Sequence, residues 1–474
     1  MADTSIQPET FDPTGAPGQG RRVLIETWGC QMNVADSEQM LGMLQDHHYV
    51  TTESAEDADV VLLNTCHIRE KAKQKVLSRL GRLREISRSQ NPEMQVVVSG
   101  CVAQAEGQAL LRQAKNIDVL MGPGRLDELT DLLEQNNRTG KQVMAIGFRA
   151  PDRRQKAPAL KTDDRPSPTL SGRNEVSRFI NISQGCDNFC TFCVVPHTRG
   201  REISLPPEKV LAAAKSLVRA GAKEITLLGQ NVNSYGQDLP DHDRNAAGTT
   251  PFERLLADVA GLDGLLRLRF TTSNPHDFSP GIVELFRTRP QLGRHIHLPV
   301  QSGDDHILER MKRKVTRARY LQLLADLRRI DSEMAVSTDL IVGFPGETEE
   351  QFRQTLRLVE EARFSFIYAF KYSPRKGTAA IRFADQVPED VKGERLARLN
   401  ALQDGITMEQ IRQEQGKIRE VLVQYGSRKE PGIYYGRTDH FRLVRLSSDE
   451  DLTGRLIRAR INGGNKTALA GDIV

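Results

Sequence analysis

The stretch SQGCDNFCTFC, residues 183–193, places three cysteines within eight residues. Clustered thiols usually occur as pairs in disulfides or as fours in structural zinc sites. Three protein ligands are typical of a catalytic metal, which keeps one coordination position for a substrate or water. The stretch therefore raises two questions, which metal binds there and what the remaining position holds.

The composition predicts a multidomain protein of the cytoplasm. A chain of 474 residues is too long for one core and should divide into two to four domains. No apolar run approaches the ~18 residues that a membrane-spanning helix needs. Residues 1–20 lack the basic and apolar regions of an export signal and are predicted to be a disordered leader. The six cysteines are then expected to be reduced thiols.

The next segment, residues 21–138, alternates apolar runs with amphipathic stretches. The apolar runs cover residues 23–27, 60–64 and 95–99, with helical patterns such as 37–45 and 70–87 between them. Continuous apolar strands separated by helices predict a parallel sheet that is covered on both faces.

The other three cysteines each follow one of these strands. Cys30, Cys66 and Cys101 lie just past the first, second and third strand, at intervals of 36 and 35 residues. Because the carboxyl ends of parallel strands share one edge of the sheet, these cysteines should meet in space.

A polar stretch over residues 139–171 predicts a linker, and a second series of strands and helices follows it. Six tandem βα units favour a partial barrel, with residues 186–193 on the loop after its first strand. The predicted strands are 178–183, 224–229, 267–272, 295–300, 335–343 and 364–372, and the predicted helices include 207–220, 252–262, 305–330 and 348–361.

The last segment, residues 407–474, has short alternating strands at 420–424, 433–436, 441–446 and 456–461, which predict a small antiparallel barrel. Residues 412–474 hold twelve Lys/Arg against eight Asp/Glu, which is the whole chain's surplus of +4. Such a basic segment suits a polyanion such as RNA, although ordinary solvated surface has the same charge. The predicted phosphate contacts are Arg437, Arg442, Arg445, Arg458 and Arg460. Tyr434, Tyr435 or Phe441 could stack on bases or could form the core of the barrel, and the core is the expected place for Phe441.

The cysteines have four possible roles: zinc ligands, disulfides, buried structural thiols and ligands of an iron–sulfur cluster. A buried structural role does not explain Gly185 and the two aromatic residues in the tight loop. Zinc would find a Cys₃His set in the loop, because His197 follows Cys193 by four residues. Cys30, Cys66 and Cys101 cannot form a zinc finger, because they follow three separate strands. A disulfide framework is not expected either, because the cytoplasm is not an oxidising compartment. An iron–sulfur cubane with three thiolates keeps one iron open, so two sets of three predict two such clusters. No Walker loop and no strand-linked GxGxxG occurs, which argues against nucleotide hydrolysis and a dinucleotide fold.

The C-x₃-C-x₂-C spacing in a six-unit βα barrel resembles the radical S-adenosylmethionine (SAM) superfamily. Over nearly its whole length the chain is similar to the methylthiotransferases, and within them to the MiaB-type tRNA methylthiotransferases. The C-terminal segment resembles a TRAM domain, a small RNA-binding barrel. At His67 the MiaB-type pattern often has Ser. The resemblance is carried by TWGCQMNVADSEQM, NTCHIREKAKQK, GCVAQAEG, SQGCDNFCTFCVVPHTRGRE, LGQNVNSYG, PVQSGDDHILERMKRKVTR and DLIVGFPGETEEQF.

The resemblance implies an α/β protein with an N-terminal parallel sheet domain, a central partial (βα)₆ radical SAM barrel and a C-terminal antiparallel TRAM barrel. The implied segments are a leader (1–20), an N-terminal methylthiotransferase domain (21–138), a linker (139–171), a radical SAM core (172–406) and a TRAM domain (407–474).

The implied chemistry uses two [4Fe–4S] clusters. One, on Cys186, Cys190 and Cys193, would bind SAM and generate a 5′-deoxyadenosyl radical. The other, on the strand-end cysteines, would carry the sulfur that is added. The implied product is a methylthio group at C2 of N6-isopentenyladenosine at tRNA position 37, next to the anticodon. An electron donor and a sulfur donor of unknown identity are needed, and the enzyme is expected to be a monomer.

The resemblance also suggests contacts to SAM. Arg199 and Arg201 either hold a SAM carboxylate or a phosphate or form structural ion pairs, and Glu347 is expected to open a helix. The basic run at residues 311–319 is expected to be mainly a solvated helix face, with contact to the tRNA backbone as the second option. Two alternatives stay open, modification of a ribosomal-protein aspartate by the same chemistry and a non-enzymatic zinc–RNA module. The expected SAM contacts are Gly229, Gln230, Asn231, Gln301, Ser302, Ile341, Val342 and Gly343.

Overall fold

The computed structural model divides into two compact units. The predicted leader, apart from Gly20, and most of the predicted linker lie outside the described residues. The described residues are 20–67, 70–148, 175–240 and 248–474. Of these, the N-terminal unit contains 20–67, 70–148, 184–186 and 195–205, and the C-terminal unit contains 175–183, 187–194, 206–240 and 248–474.

The N-terminal unit contains a parallel sheet flanked by helices. Its elements are β1 (Arg22–Trp28), α1 (Gln31–Asp46), β2 (Val50–Thr51), β3 (Val60–Thr65), α2 (Glu70–Ser89), β4 (Gln95–Gly100), α3 (Cys101–Glu106), α4 (Gln108–Gln113), β5 (Val119–Met121), a 3₁₀ helix (Pro123–Glu128), α5 (Leu129–Thr139) and β6 (Val143–Ala145). The strand order is β2-β1-β3-β4-β5-β6, and every pairing is parallel, which confirms the predicted sheet.

The central strands are apolar because the sheet buries both of their faces. Every residue of β3 and β4 is buried, and their valine and leucine side chains pack against residues of α2 and the α3–α4 region. At about 25 cal/mol per Å² of apolar surface, such burial is the main stabilising term.

The sheet extends into the stretch where composition predicts a linker. In β6 the side chains of Val143 and Ala145 are buried, while Met144 between them is exposed. This short alternation pairs with β5 and supplies the sixth strand, so tertiary pairing overrides the polar composition around it.

The second series of elements runs from residue 177 to 371. It consists of β7 (Ser177–Asn181), β8 (Ser183–Gln184), α6 (Val195–Thr198), β9 (Ile203–Ser204), α7 (Pro207–Arg219), β10 (Glu224–Leu228), α8 (Pro251–Ala260), β11 (Arg267–Thr271), α9 (Pro280–Thr288), β12 (His295–His297), α10 (Asp305–Arg310), α11 (Arg317–Ile330), β13 (Ala335–Val342), α12 (Glu349–Ala362) and β14 (Phe366–Lys371), with 3₁₀ turns at Val232–Ser234 and Pro275–Asp277. Of these, α6 and β9 belong to the N-terminal unit.

The six strands predicted for the barrel are confirmed as β7 and β10–β14. They form two parallel groups with the orders β11-β10-β7 and β12-β13-β14, and an isolated bridge joins Leu268 to Leu292. This open arrangement of βα units is the predicted partial barrel.

The single helix predicted over residues 305–330 is wrong, since two helices, α10 and α11, replace it. Lys312, between them, has a φ of 58°, which a helix does not allow. Thr316 then caps α11 by accepting a hydrogen bond from the Arg319 amide. The run 311–319 is therefore not one solvated helix face, because Met311 and Arg313 within it are buried.

The chain ends in a long helix and a closed small barrel. After a 3₁₀ turn (Ala379–Arg382), the elements are α13 (Glu389–Glu414), β15 (Ile418–Gly426), β16 (Ile433–Thr438), β17 (Leu443–Ser447), β18 (Leu456–Gly464) and β19 (Leu469–Ile473). The order β15-β16-β17-β19-β18 closes the barrel, as predicted, and β19 is a fifth strand that the pattern did not predict. No described helix combines the length and apolar character that crossing a bilayer requires.

Candidate functional site

Cys30, Cys66 and Cys101, called here the strand-end set, lie at one edge of the N-terminal sheet. Trp28 of β1 is paired with Thr65 of β3, and Thr65 is paired with Gly100 of β4. The three strands therefore end level, and each cysteine comes one or two residues later. The Cys66 amide also donates to the Trp28 carbonyl at 2.9 Å.

Gly100 is required at the end of β4. Its φ is +93°, and an added Cβ would lie 2.4 Å from the Thr65 carbonyl oxygen and 2.6 Å from Asn64 Oδ1. A side chain there would push β4 away from β3. The glycine thus lets the chain turn directly from the strand into α3, which begins at Cys101.

A buried polar network lies beneath these strand ends. Asn33 Nδ2 donates to Asn64 Oδ1 at 3.0 Å, and Asn64 Nδ2 donates to Ser37 Oγ at 2.8 Å and to the Asn33 carbonyl at 2.7 Å. The Cys30 thiol donates to Asn33 Oδ1 at 3.4 Å. A satisfied network of this kind fixes the start of α1 relative to β3.

The thiols of the strand-end set interact with one another. A hydrogen bond with Cys66 is the largest cause that lowers the pKa of the Cys30 thiol to about 6, and the positive charge of Arg199 lowers it further. Burial raises the pKa of the Cys101 thiol, whereas Arg199 beside it acts in the opposite direction. Cys30 is exposed and Cys66 and Cys101 are buried, so the set opens at one side.

Arg199 is bound in a structural ion pair, one of the two roles that the sequence leaves open for it. Its Nη2 lies 2.6 Å from Asp36 Oδ2, and both side chains are at least 95% buried, with exposures of 3% and 5%. Asp36 lies on α1, six residues after Cys30. The sequence does not predict a role for Asp36, because a lone carboxylate in a helix carries no signal without its distant partner.

Cys186, Cys190 and Cys193, the loop set, come from one short segment. Cys186 belongs to the N-terminal unit, where its amide donates to the Gly200 carbonyl at 3.2 Å. Gly185 before it has a φ of +82°, and a Cβ there would lie 2.0 Å from the Arg201 carbonyl oxygen. This close approach of two backbones explains the glycine in SQGC.

Cys190 and Cys193 belong to the C-terminal unit. The Cys193 amide donates to the Cys190 carbonyl at 3.0 Å, which closes a tight turn. Thr191 between them ties this turn to the end of α10, because its hydroxyl donates to the Arg310 carbonyl at 2.9 Å. Phe189, with a φ of 47°, leaves its ring 46% exposed at the start of the turn.

Arg313, buried in the basic run, contacts the loop set directly. Its Nη1 donates to Cys190 Sγ at 3.6 Å, and its Nη2 donates to the Pro299 carbonyl at 2.6 Å. The thiolate is the form of cysteine that binds metal, and a guanidinium at this distance can compensate the negative charge of a metal-bound sulfur. Sequence reasoning assigned this run to solvent because charge alone does not reveal which member points inward.

The two sets differ in how far they fit a metal cluster. Within the described residues, no group of three or more Cys, His, Asp or Glu side chains is arranged to hold a metal ion. The strand-end set nevertheless converges, because Cys30 is hydrogen-bonded to Cys66 and Arg199 lies between Asp36 and the thiols. Converging thiols beside a buried positive charge, with one of them exposed, fit an iron–sulfur cluster.

The residues expected to contact SAM lie at the strand ends of the C-terminal unit, but several side chains have internal partners. Asn231 Nδ2 donates to Asp277 Oδ2 at 2.7 Å, and the fully buried Ser302 hydroxyl accepts from the Asp304 amide at 3.2 Å. Gln301 has a φ of 82° and bridges to β13 through its backbone. Backbone groups and Gly229 are thus the more available contacts.

The expectation that Glu347 opens a helix is wrong, since Thr348 caps α12. Glu347 is instead buried and accepts from the Gly343 amide at 2.7 Å and from Arg395 Nη1 at 2.8 Å. Burial raises the pKa of its carboxyl to about 7. Gly343 has a φ of +66° and no room for a Cβ beside Lys392. The hydrogen bond from its amide to Glu347 therefore fixes a turn after β13 that only glycine allows.

The small barrel has both exposed and internally bound arginines. Arg437 Nη1 donates to the Phe441 carbonyl at 3.0 Å, and Arg442 Nη2 donates to Gln410 Oε1 at 2.6 Å. By contrast, Arg445, Arg458 and Arg460 are exposed, and Arg445 pairs with Glu430.

The aromatic residues of the barrel divide in the same way. The expectation that Phe441 lies in the barrel core is wrong, because its ring stacks on His295 of β12 at 4.8 Å. Tyr435 stacks on Tyr425 at 5.6 Å, and Tyr425, which the sequence analysis missed, is 42% exposed. Tyr434 packs against the core.

Two family models match the chain. Residues 22–122 match the uncharacterized protein family UPF0004, and residues 180–359 match the radical SAM superfamily. Relatives named tRNA-2-methylthio-N(6)-dimethylallyladenosine synthase include one from Syntrophotalea carbinolica, 41% identical over 95% of this chain and 99% of that one. Another, from Moorella thermoacetica, is 42% identical over 95% of this chain and 98% of its own. The chain belongs to the tRNA-2-methylthio-N(6)-dimethylallyladenosine synthase family.

The fold is similar to that of a solved radical SAM protein. The methyltransferase TsrM from Kitasatospora setae, a structure with cobalamin and a [4Fe–4S] cluster bound, gives a TM-score of 0.55 at 14% identity, over 88% of this chain and 77% of that one. This likeness concerns the fold alone. The family relatives carry a tRNA name, so neither the ribosomal-protein target nor the zinc–RNA module finds support among them.

Proposed function

We propose that the protein is a radical SAM methylthiotransferase that adds a methylthio group to C2 of N6-isopentenyladenosine at tRNA position 37, beside the anticodon. The observation that carries the proposal is the convergence of Cys30, Cys66 and Cys101 at one sheet edge, in a chain that also has the C-x₃-C-x₂-C loop. Membership in the synthase family supports the same function.

Two [4Fe–4S] clusters and SAM are the cofactors of this function. The loop set would hold one cluster and the strand-end set the other, each with three thiolates. When bound, these groups supply a carbon-centred radical for hydrogen abstraction and the sulfur for transfer. The chain supplies the thiolates and holds them in place through Gly100, Gly185 and the Asn33–Asn64 network.

Around the loop set, the chain's own groups would orient SAM through the ends of the central strands. We assign this role first to backbone atoms, because the Asn231 and Ser302 side chains are engaged within the protein. Ile341 and the turn after β13, fixed by Glu347, would offer apolar surface to the adenine. The proposed SAM contacts remain Gly229, Gln230, Asn231, Gln301, Ser302, Ile341, Val342 and Gly343.

The small barrel would bind the anticodon stem-loop. Exposed Arg445, Arg458 and Arg460 can pair with phosphates, and the Tyr425–Tyr435 pair can stack on an unpaired base. Arg267 and Arg269 donate to the carbonyls of residues 437–439, so the barrel is anchored on β11 of the same unit. The target adenine is already unpaired in the loop, which lowers the cost of moving it into a barrel mouth.

The proposal also covers the oligomeric state of the enzyme, its location and the two donors that it needs. The enzyme would act as a monomer in the cytoplasm, where its tRNA substrate is found. It would take electrons from a separate donor and sulfur from a second donor, both of unknown identity, since the chemistry consumes reducing equivalents and sulfur.

The decisive experiment is mass spectrometry of tRNA nucleosides from a deletion strain and from that strain carrying the gene. We expect 2-methylthio-N6-isopentenyladenosine to disappear in the deletion strain and N6-isopentenyladenosine to accumulate in its place. Reintroduction should restore the methylthio nucleoside. An unchanged level of the methylthio nucleoside in the deletion strain would refute the proposal.

A further inference from the structure

We propose that Arg199 is a positioning residue of the strand-end site, whose buried guanidinium donates a hydrogen bond to a sulfur atom of the cluster held there and makes that cluster easier to reduce. This inference rests on the proposed function, because it assumes that Cys30, Cys66 and Cys101 hold a cluster. It assigns to this chain a residue that is not itself a metal ligand.

The first observation is an unsatisfied donor in a buried place. The Arg199 side chain is only 3% exposed, and its Nη1 has no hydrogen-bond partner among the described residues. A buried N–H group without an acceptor costs roughly 1–3 kcal/mol. Such a cost persists in a fold when a bound group supplies the missing acceptor, and a cluster has several sulfur acceptors.

The second observation is the neighbourhood of that donor. The guanidinium lies close enough to the strand-end set that its positive charge acts to lower the pKa of both the Cys101 and the Cys30 thiols. It is therefore directed toward the thiols from which the cluster would hang. The carboxylate of Asp36 accepts from Nη2 on the other side, which fixes the plane of the guanidinium.

The third observation is how the backbone holds Arg199 in place. The Arg199 amide donates to the Val195 carbonyl at 2.7 Å, within the turn that begins with α6. Gly200 follows with a φ of +83°, and its carbonyl accepts from the Cys186 amide. These backbone constraints on Arg199 and on the residue after it fix the segment from which the guanidinium extends, as is typical of a functional group held by its supporting structure.

The expected consequence follows from electrostatics. Reduction adds one negative charge to the cluster, and a fixed positive charge in a low-dielectric place stabilises that product. Hydrogen bonds to cluster sulfur act in the same direction and are known determinants of cluster potentials. Asp36 opposes part of this effect through its own negative charge. Removing the charge of Arg199 and removing that of Asp36 should therefore shift the potential in opposite directions.

The experiment measures the midpoint potential of the strand-end cluster alone. The full chain carrying Cys186→Ala, Cys190→Ala and Cys193→Ala is reconstituted with iron and sulfide and titrated with electron paramagnetic resonance detection. Arg199→Gln, Arg199→Lys and Asp36→Asn are introduced into this background. The matched control is Arg79→Gln, which breaks the Arg79–Glu26 ion pair elsewhere in the same unit.

We expect Arg199→Gln to lower the ratio of reduced to oxidised cluster at a fixed potential by about tenfold, which is a shift of about 59 mV to more negative midpoint potential for one electron. Arg199→Lys should give a smaller shift, because it keeps the charge and loses the planar fork. Asp36→Asn should shift the potential to more positive values, and Arg79→Gln should leave it unchanged.

Each result decides the matter. If Arg199→Gln and Arg79→Gln contain equal amounts of iron and have equal midpoint potentials, the inference is wrong. If Arg199→Gln binds no iron, the inference is tested by the midpoint potentials of Arg199→Lys and Asp36→Asn. If these two potentials do not shift in opposite directions from the parent, the inference is wrong. If neither of those variants binds iron, Arg199 serves assembly and not the potential, which also overturns it. If the Arg79→Gln control and its parent bind no iron, the proposed function itself fails.

Discussion

The strand-end set and the loop set obtain three thiols by opposite routes. Cys30, Cys66 and Cys101 are spread over three strands, and only the register of a parallel sheet brings them together. Cys186, Cys190 and Cys193 lie within eight residues, and a tight turn is sufficient for Cys190 and Cys193. The difference teaches that equal chemistry can depend on local sequence in one place and on the whole fold of a unit in another.

The two sets share one feature in spite of this difference. Each has a buried arginine at one of its cysteines, Arg199 at Cys101 and Arg313 at Cys190. Neither arginine lies in the motif of the cysteine that it contacts. The local set is therefore also completed from a distance, through the segment between α10 and α11.

The largest expected effect is the loss of one cysteine set, because we expect that neither set can replace the other in function. We expect the Cys30→Ala/Cys66→Ala/Cys101→Ala variant to cleave SAM and to add no sulfur to tRNA. The Cys186→Ala/Cys190→Ala/Cys193→Ala variant should do neither. Each variant should retain about four irons, the content of one cubane. Assays of 5′-deoxyadenosine, product nucleoside and iron would measure this, and full sulfur transfer by the first variant would contradict it.

A second, large effect is expected at Gly100, because the strand-end set depends on strand register. Gly100→Ala forces a side chain into a φ of +93° and against the Thr65 carbonyl, at a cost of about 3 kcal/mol. The matched control is Gly81→Ala in α2, where a Cβ meets nothing within 4 Å. That change should stabilise the helix by about 0.5–1 kcal/mol. Equal unfolding midpoints in urea for the two variants would refute the requirement at Gly100.

The buried carboxyl of Glu347, beside the turn after β13, is expected to make the stability of the protein depend on pH. Burial raises the pKa of Glu347 to about 7, whereas the carboxyl of an unfolded chain titrates near 4.5. The folded state then binds this proton more tightly, so the stability it adds is complete below about pH 4.5. It is lost as the pH rises through about 7, by up to about 3 kcal/mol.

Glu347→Gln should flatten the fall in stability of the protein between pH 5 and pH 7.5, measured by urea unfolding at each pH. The control is Glu350→Gln, whose carboxylate is 59% exposed in the first turn of the following helix, α12. That variant should keep the slope of the parent. A slope that survives Glu347→Gln would assign the pH dependence to another group.

The smallest expected effect concerns Arg313 at the loop set. Arg313→Gln removes the hydrogen bond to Cys190 Sγ, and we expect SAM cleavage to slow by roughly fivefold, equivalent to about 1 kcal/mol. Lys314→Gln, at an exposed position of the same run, is the control and should cleave SAM at the parental rate. Equal rates for both variants at equal iron content would remove Arg313 from the site.

Much of this protein follows from its sequence alone. The apolar runs before Cys30, Cys66 and Cys101 predict the sheet edge, and six strands between residues 177 and 371 occur where the pattern places them. These predictions succeed because burial on both faces leaves a continuous apolar run, and such a run is visible without a structure. The loop set is equally evident, since its spacing is local.

Tertiary structure alone decided the partners of the charged and polar residues. Arg199 with Asp36, Arg313 with Cys190 and Glu347 with Gly343 are contacts that charge patterns did not predict. A charged side chain is stable in a core only when a partner compensates its desolvation, and that partner can come from any part of the chain. Sequence therefore determined where the cysteines lie, and the fold determined which charges surround them.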